Sequence, residues 1–128
     1  MEILLVEDDP TDSKLLSAVL KSSGHRVLEK SSAEQAAEEI KARKPEVILL
    51  DLKLPGMDGL ALARLLKQDP DTQHIPIIAV TAASEKFSKE EALAAGCDAY
   101  IRKPVDTRKL HEQIVDAAAH GPGVREQG

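Results

Sequence analysis

Aromatic side chains are nearly missing from this sequence, with one Phe, one Tyr and no Trp in 128 residues. Stacking platforms for single-stranded nucleic acid therefore cannot be built, and the core has to be aliphatic. Cysteine is equally scarce. The single Cys97 excludes an internal disulfide framework and any Cys-based zinc site, and reads as a small buried hydrophobe. Long apolar runs are lacking as well. No stretch approaches the roughly 20 residues of a membrane span, and the run Ile3-Leu4-Leu5-Val6 is too short for the apolar segment of a signal peptide. Nor is there a basic excess. With 17 Lys and Arg against 22 Asp and Glu, the formal charge of −5 argues against a nucleic-acid or anionic-membrane surface. The expectation that remains is a cytoplasmic protein with one core and neither nucleic acid nor membrane among its partners.

What is present is an alternation of short apolar runs and longer helical patterns, five times over. Ile3–Val6, Val47–Leu50 and Pro76–Val80 are continuous apolar runs, the mark of strands buried on both faces. Arg26–Lys30 is more polar and reads as an edge strand, and Ala99–Ile101 as a short fifth. Between them, Leu15, Leu16, Val19 and Leu20 recur at helical spacing before Gly24, and Ser32 with Gln35 reads as a capping box. Leu60, Leu62, Ala63, Leu65 and Leu66 form a third helix, Ser84–Ala95 a weaker fourth, and a last one starts near Asp106 as N-cap. Strand–helix alternation implies an α/β fold, a doubly wound five-stranded parallel sheet with helices on both faces. One domain spans residues 1–120, and 121–128 reads as a flexible tail or the start of a linker.

In such sheets ligands bind outside the carboxyl ends of the strands, so the residues that follow each apolar run carry the functional information. The first run ends in Glu7-Asp8-Asp9, the third in Asp51, the fourth in Thr81, and the fifth leads into Arg102-Lys103-Pro104. Glu7, Asp8 and Asp51 in one mouth would repel unless a cation sits among them. With oxygen ligands only, that cation is magnesium-like. Lys103 adds a positive donor and Thr81 a hydroxyl. A carboxylate nucleophile, a divalent cation, a lysine and a hydroxyl together suit phosphoryl transfer onto Asp51.

The stretches Leu5-Val6-Glu7-Asp8-Asp9, Leu49-Leu50-Asp51 with Leu54-Pro55-Gly56-Met57-Asp58-Gly59, Val80-Thr81-Ala82 and Tyr100-Ile101-Arg102-Lys103-Pro104 resemble the receiver domain of two-component response regulators. The resemblance covers about residues 2–118 and is to a chemotaxis-regulator-like receiver. It implies a flavodoxin-like strand order 2-1-3-4-5 and phosphorylation of Asp51 by a histidine kinase or a histidine phosphotransfer protein. It implies a Mg2+ site made by Asp8 directly, Glu7 through water, Asp51 and the backbone carbonyl of Lys53. Thr81 and Tyr100 would be the switch pair, Lys103 the phosphoryl-binding lysine, and Lys103–Pro104 a cis peptide. The downstream target is not named by the sequence, and both a stand-alone receiver and a piece of a longer protein fit it. Lys53 and Ala83, two residues after Asp51 and Thr81, sit where the family varies and would set the lifetime of the acyl phosphate.

Plainer readings exist for each residue taken singly. The acidic run before Pro10 suits a helix N-terminus, Thr81 a turn, Lys103 a solvated surface position, and Tyr100 a packed aromatic. The four histidines, His25, His74, His111 and His120, show no ligand spacing and no partner, and the Lys86–Glu91 charges read as a solvated helix face. A magnesium-dependent phosphatase would want a second Asp where Lys53 stands. A nucleotide- or flavin-binding module would want a glycine-rich loop where the first strand delivers acids.

Overall fold

The computed structural model describes residues 1–120, so the expected tail at 121–128 lies outside the described residues. Five parallel strands, β1 (Glu2–Val6), β2 (Arg26–Lys30), β3 (Val47–Leu50), β4 (Ile77–Thr81) and β5 (Ala99–Arg102), form one sheet in the order β2-β1-β3-β4-β5. The helices between and after them are α1 (Pro10–Ser22), α2 (Ala33–Ala42), α3 (Gly59–Gln68), α4 (Lys89–Ala94) and α5 (Leu110–His120). The doubly wound fold and its strand order are those expected.

Side-chain alternation along each strand divides the core into two layers. Leu4, Val6, Ile48, Leu50, Ile77 and Ala79 face α2, α3 and α4, meeting Ile40, Leu62, Leu66 and Ala92. Ile3, Leu5, Leu49, Ile78, Val80 and Ile101 face α1 and α5, meeting Leu16, Leu20, Leu110 and Ile114. All of β3 and β4 is buried, as strands covered on both faces must be, whereas β2 at the edge is largely exposed.

Local capping explains the helix starts. Asp9 accepts from the backbone N–H of Thr11 and Asp12, so it is the α1 cap that the plainer reading of the acidic run anticipates. Ser32 caps α2 through the Gln35 N–H, but the Gln35 side chain returns to Ser31 rather than to Ser32. Two expected boundaries are corrected. α4 starts at Lys89 rather than Ser84, because Ser84 is engaged in a turn with the Phe87 N–H and Ser88 makes the cap on Glu91. α5 starts at Leu110 rather than near Asp106, because the Asp106 side chain closes a turn on Arg108 before the helix begins.

A third correction concerns the histidines. His25 Nε2 lies 2.8 Å from His111 Nδ1, and His25 Nδ1 lies 3.0 Å from the Met1 ammonium, joining the turn before β2 to the first turn of α5. An ammonium can only donate. His25 Nδ1 is therefore the acceptor, Nε2 carries the proton, and it donates to His111. Burial, then the Met1 ammonium, then His111 hold the His25 pKa below its ordinary value, against a weaker opposing pull from Glu46. A histidine lowered on folding binds fewer protons folded than unfolded, so its contribution is present above about pH 6.5 and is lost as pH falls through the folded value. Wild type is expected to lose more stability than His25→Gln between about pH 7.5 and about pH 5.5. Urea unfolding of the two proteins at both pH values measures this, and equal losses would remove the pair as a proton-linked contact.

Candidate functional site

Sheet register brings the predicted residues to one mouth. Val6 pairs with Leu50 and Leu50 with Ala79, so β1 and β3 end level with one another while β4 runs two residues further. The next residues, Glu7 and Asp51, therefore emerge side by side, and the Asp51 N–H bonds the Val6 carbonyl at 2.9 Å. Thr81 ends β4, and its carbonyl accepts from the Lys103 N–H at 2.9 Å, which delivers Lys103 to the same place. The Lys103–Pro104 peptide is cis, as the resemblance implies. Gly59 opens α3 against this loop. A Cβ there would lie 2.5 Å from the Asp51 carbonyl oxygen and 2.6 Å from Leu52 Cα, so a glycine lets the helix start this close to the end of β3.

Asp51 is buried at 6% exposure, and both its oxygens are engaged. Oδ1 accepts from the Thr81 hydroxyl at 2.9 Å and the Lys53 N–H at 3.0 Å. Oδ2 accepts from Lys103 Nζ at 3.0 Å. Lys103 also donates to Glu7 Oε1 at 2.7 Å and to Asp12 Oδ2 at 3.0 Å. Glu7 is buried and Asp8 exposed, and oxygens of Glu7, Asp8 and Asp51 all lie within 4.8 Å of one another. An open cavity of about 510 Å³ lies over them, lined also by Asp9, Lys53, Pro55 and Ala82.

The electrostatics follow from burial. Desolvation pushes the Glu7 carboxyl up to about 7, Lys103 opposes this, and the neighbouring Asp51 adds to it. Burial alone would depress the Lys103 ammonium, but its hydrogen bonds to Glu7, Asp12 and Asp51 hold it above the usual lysine range. Lys103 is therefore a fixed cation. Beside it, Glu7, Asp8 and Asp51 form a set of hard oxygen donors without His or Cys, which fits a small divalent cation.

The structure thus brings Glu7, Asp8, Asp51, Thr81 and Lys103 together, with Lys53 contributing its N–H to Asp51. Tyr100 lies away from the mouth. Its ring is buried in the layer under α2–α4, and its hydroxyl donates to the Phe87 carbonyl at 2.8 Å. With the Thr81 hydroxyl on Asp51 and the Tyr100 ring inward, the two residues expected to form the switch pair both occupy inward positions. Lys86, read as part of a solvated face, pairs with Asp58, the α3 cap, at 3.2 Å across the loops beside the mouth. Asp12 was not among the expected site residues. It belongs to the first turn of α1, where an acid is unexceptional, and only its reach to Lys103 sets it apart.

Comparison with known proteins agrees with this geometry. A family model of the response regulator receiver domain matches residues 3–115. The phosphate regulon transcriptional regulatory protein PhoB of Pseudomonas aeruginosa is 40% identical over 122 residues, 94% of this chain and 53% of PhoB. The polar-differentiation response regulator DivK of Brucella ovis is 35% identical over 112 residues, 88% of this chain and 91% of DivK. The chain therefore spans about half the length of the first relative and most of the second. Among solved structures, the receiver domain of the sensor histidine kinase PA1611 from Pseudomonas aeruginosa PAO1, which has a magnesium ion coordinated in its active site cleft, superposes with a TM-score of 0.85. It is 32% identical, over 92% of this chain and 97% of that one. The sheet order, the mouth and these matches lead to one conclusion: the chain belongs to the response regulator receiver domains, the phosphorelay modules of two-component signalling.

Proposed function

We propose that Asp51 accepts a phosphoryl group from the phosphohistidine of a histidine kinase or phosphotransfer protein, and that the charged product changes the surface offered to a downstream protein. The observation that carries this is the Asp51 carboxylate, held between the Thr81 hydroxyl and the Lys103 ammonium at the floor of an open mouth. An Asp51 oxygen attacks phosphorus as the bond from phosphorus to the histidine nitrogen breaks, and the released imidazole takes its proton from solvent. Lys103 turns a donor to a phosphoryl oxygen, and the Thr81 hydroxyl turns from Asp51 to another. The chain thereby contributes groups to its own phosphorylation and dephosphorylation while acting as a switch. Asp8, Glu7, Asp51 and the Lys53 carbonyl would hold Mg2+, which when bound neutralises charge on the phosphoryl oxygens. Because Tyr100 is bonded to the Phe87 carbonyl just before α4, movement of Thr81 is passed through β4 to the α4–β5 region. No described helix is long and apolar enough to cross a membrane, and we place the protein with its kinase partner's phosphohistidine in the cytoplasm.

Incubation with acetyl phosphate and Mg2+ tests the reading. One phosphoryl mass should appear, peptide mapping should place it on Asp51, and chelation should prevent it. A label on another residue sinks the acceptor assignment, and labelling that survives chelation removes the metal from it.

A further inference from the structure

An ammonium has three N–H donors, and Lys103 directs them at three carboxylates: Glu7 at 2.7 Å, Asp12 at 3.0 Å and Asp51 at 3.0 Å. The three partners differ in depth. The side chains of Glu7 and Asp51 are 1% and 7% exposed, whereas that of Asp12 is 39% exposed. Asp12 stands at the rim, between the mouth and a second groove lined by Leu15, Leu16, Pro104 and Val105. When a phosphoryl group arrives on Asp51, one Lys103 donor has to remain available to it. Glu7 has no water to turn to, while Asp12 can rehydrate at small cost.

We propose that Asp12 is a positioning residue of the phosphorylation site, competing with the phosphoryl group for Lys103 and placing a negative charge where the donor enters. This rests on Asp51 being the acceptor. Asp12 accordingly slows phosphorylation, and slows it more for donors of higher negative charge. Like charges a few ångströms apart across the mouth repel through a partly aqueous medium, so removing one is expected to raise the rate about threefold to tenfold at low salt. Salt screens that repulsion, and the gain shrinks as salt rises.

The experiment compares wild type, Asp12→Asn and Asp12→Glu, labelled with Mg2+ and either dianionic acetyl phosphate or monoanionic phosphoramidate, at low and high salt. Asp12→Asn should react faster, the gain being larger with acetyl phosphate and at low salt, and Asp12→Glu should return the wild-type rate and salt dependence. If Asp12 serves only as a first-turn acid of α1, Asp12→Asn lowers the Tm while rate, salt dependence and donor preference stay as in wild type. That outcome overturns the proposal and leaves the acceptor reading intact. Wild type that takes no label on Asp51 overturns both.

Discussion

Asp51→Asn is expected to reduce labelling by a phosphodonor to background while leaving the protein folded and at least as stable. The chemistry requires the first result. An amide oxygen is a far weaker nucleophile than a carboxylate and cannot form the acyl phosphate. The second result comes from the surroundings. Thr81 and the Lys53 N–H can still donate to the Asn oxygen, and Lys103 retains Glu7 and Asp12. Meanwhile one of the charges that raises Glu7 disappears. Without a divalent cation, the relief of repulsion is expected to stabilise the variant by on the order of 1 kcal/mol. Mass spectrometry after acetyl phosphate treatment and a thermal melt in chelator check the two halves. Wild-type labelling of Asp51→Asn would show that the acceptor is another group. A melt several degrees lower would mean that Asp51 holds the fold together rather than serving chemistry.

The site was legible in the sequence to the extent that backbone periodicity determines it. Continuous apolar runs place β1, β3 and β4 in the middle of the sheet, and parallel register then forces Glu7, Asp51, Thr81 and Lys103 to a common end. No long-range knowledge is needed for that step. What could not be read are the pairs that exist only after the layers close. His25 and His111 are 86 residues apart, on segments whose local patterns say nothing of each other. Asp12 is one acid among several at the start of α1, and its engagement depends on where the cis Lys103–Pro104 segment lies. The early start expected for α4 fails for a related reason. The Phe87 carbonyl accepts from the Tyr100 hydroxyl on β5, a contact that helical propensity across Ser84–Phe87 does not register.

Asp98 is the largest omission, and it carries the second large prediction. It sits at the end of the sheet opposite the mouth, just ahead of β5, and is 3% exposed. Its Oδ2 accepts from the Ile77 N–H at 2.8 Å and from Lys67 Nζ at 3.0 Å, while its own N–H bonds the Ile77 carbonyl at 2.8 Å. Lys67, from α3, also donates to the carbonyls of Gln73 at 3.2 Å and Ile75 at 2.9 Å. One carboxylate thus ties α3, the start of β4 and the start of β5. Gly96 is part of the same arrangement. It takes φ +104°, and a Cβ there would lie 2.6 Å from Cγ of the Lys67 stem, so glycine is needed for the lysine to reach the acid. Asp98→Ala leaves the buried Ile77 N–H without its acceptor and the largely buried Lys67 ammonium without its counter-charge, and is expected to destabilise the fold by about 3–5 kcal/mol. Asp98→Asn keeps an oxygen for Ile77 and loses only the charge, for about 1–2 kcal/mol. Urea unfolding should rank wild type above Asp98→Asn above Asp98→Ala, and equal midpoints for all three would refute the tie. At a temperature where Asp98→Asn is still folded, it should label on Asp51 like wild type, because these bonds to Lys67 and Ile77 lie at the opposite end of the sheet from the mouth. The two acids therefore have opposite signatures: Asp51→Asn loses the chemistry and keeps the fold, while Asp98→Ala loses the fold's anchor at the end where no phosphoryl group arrives.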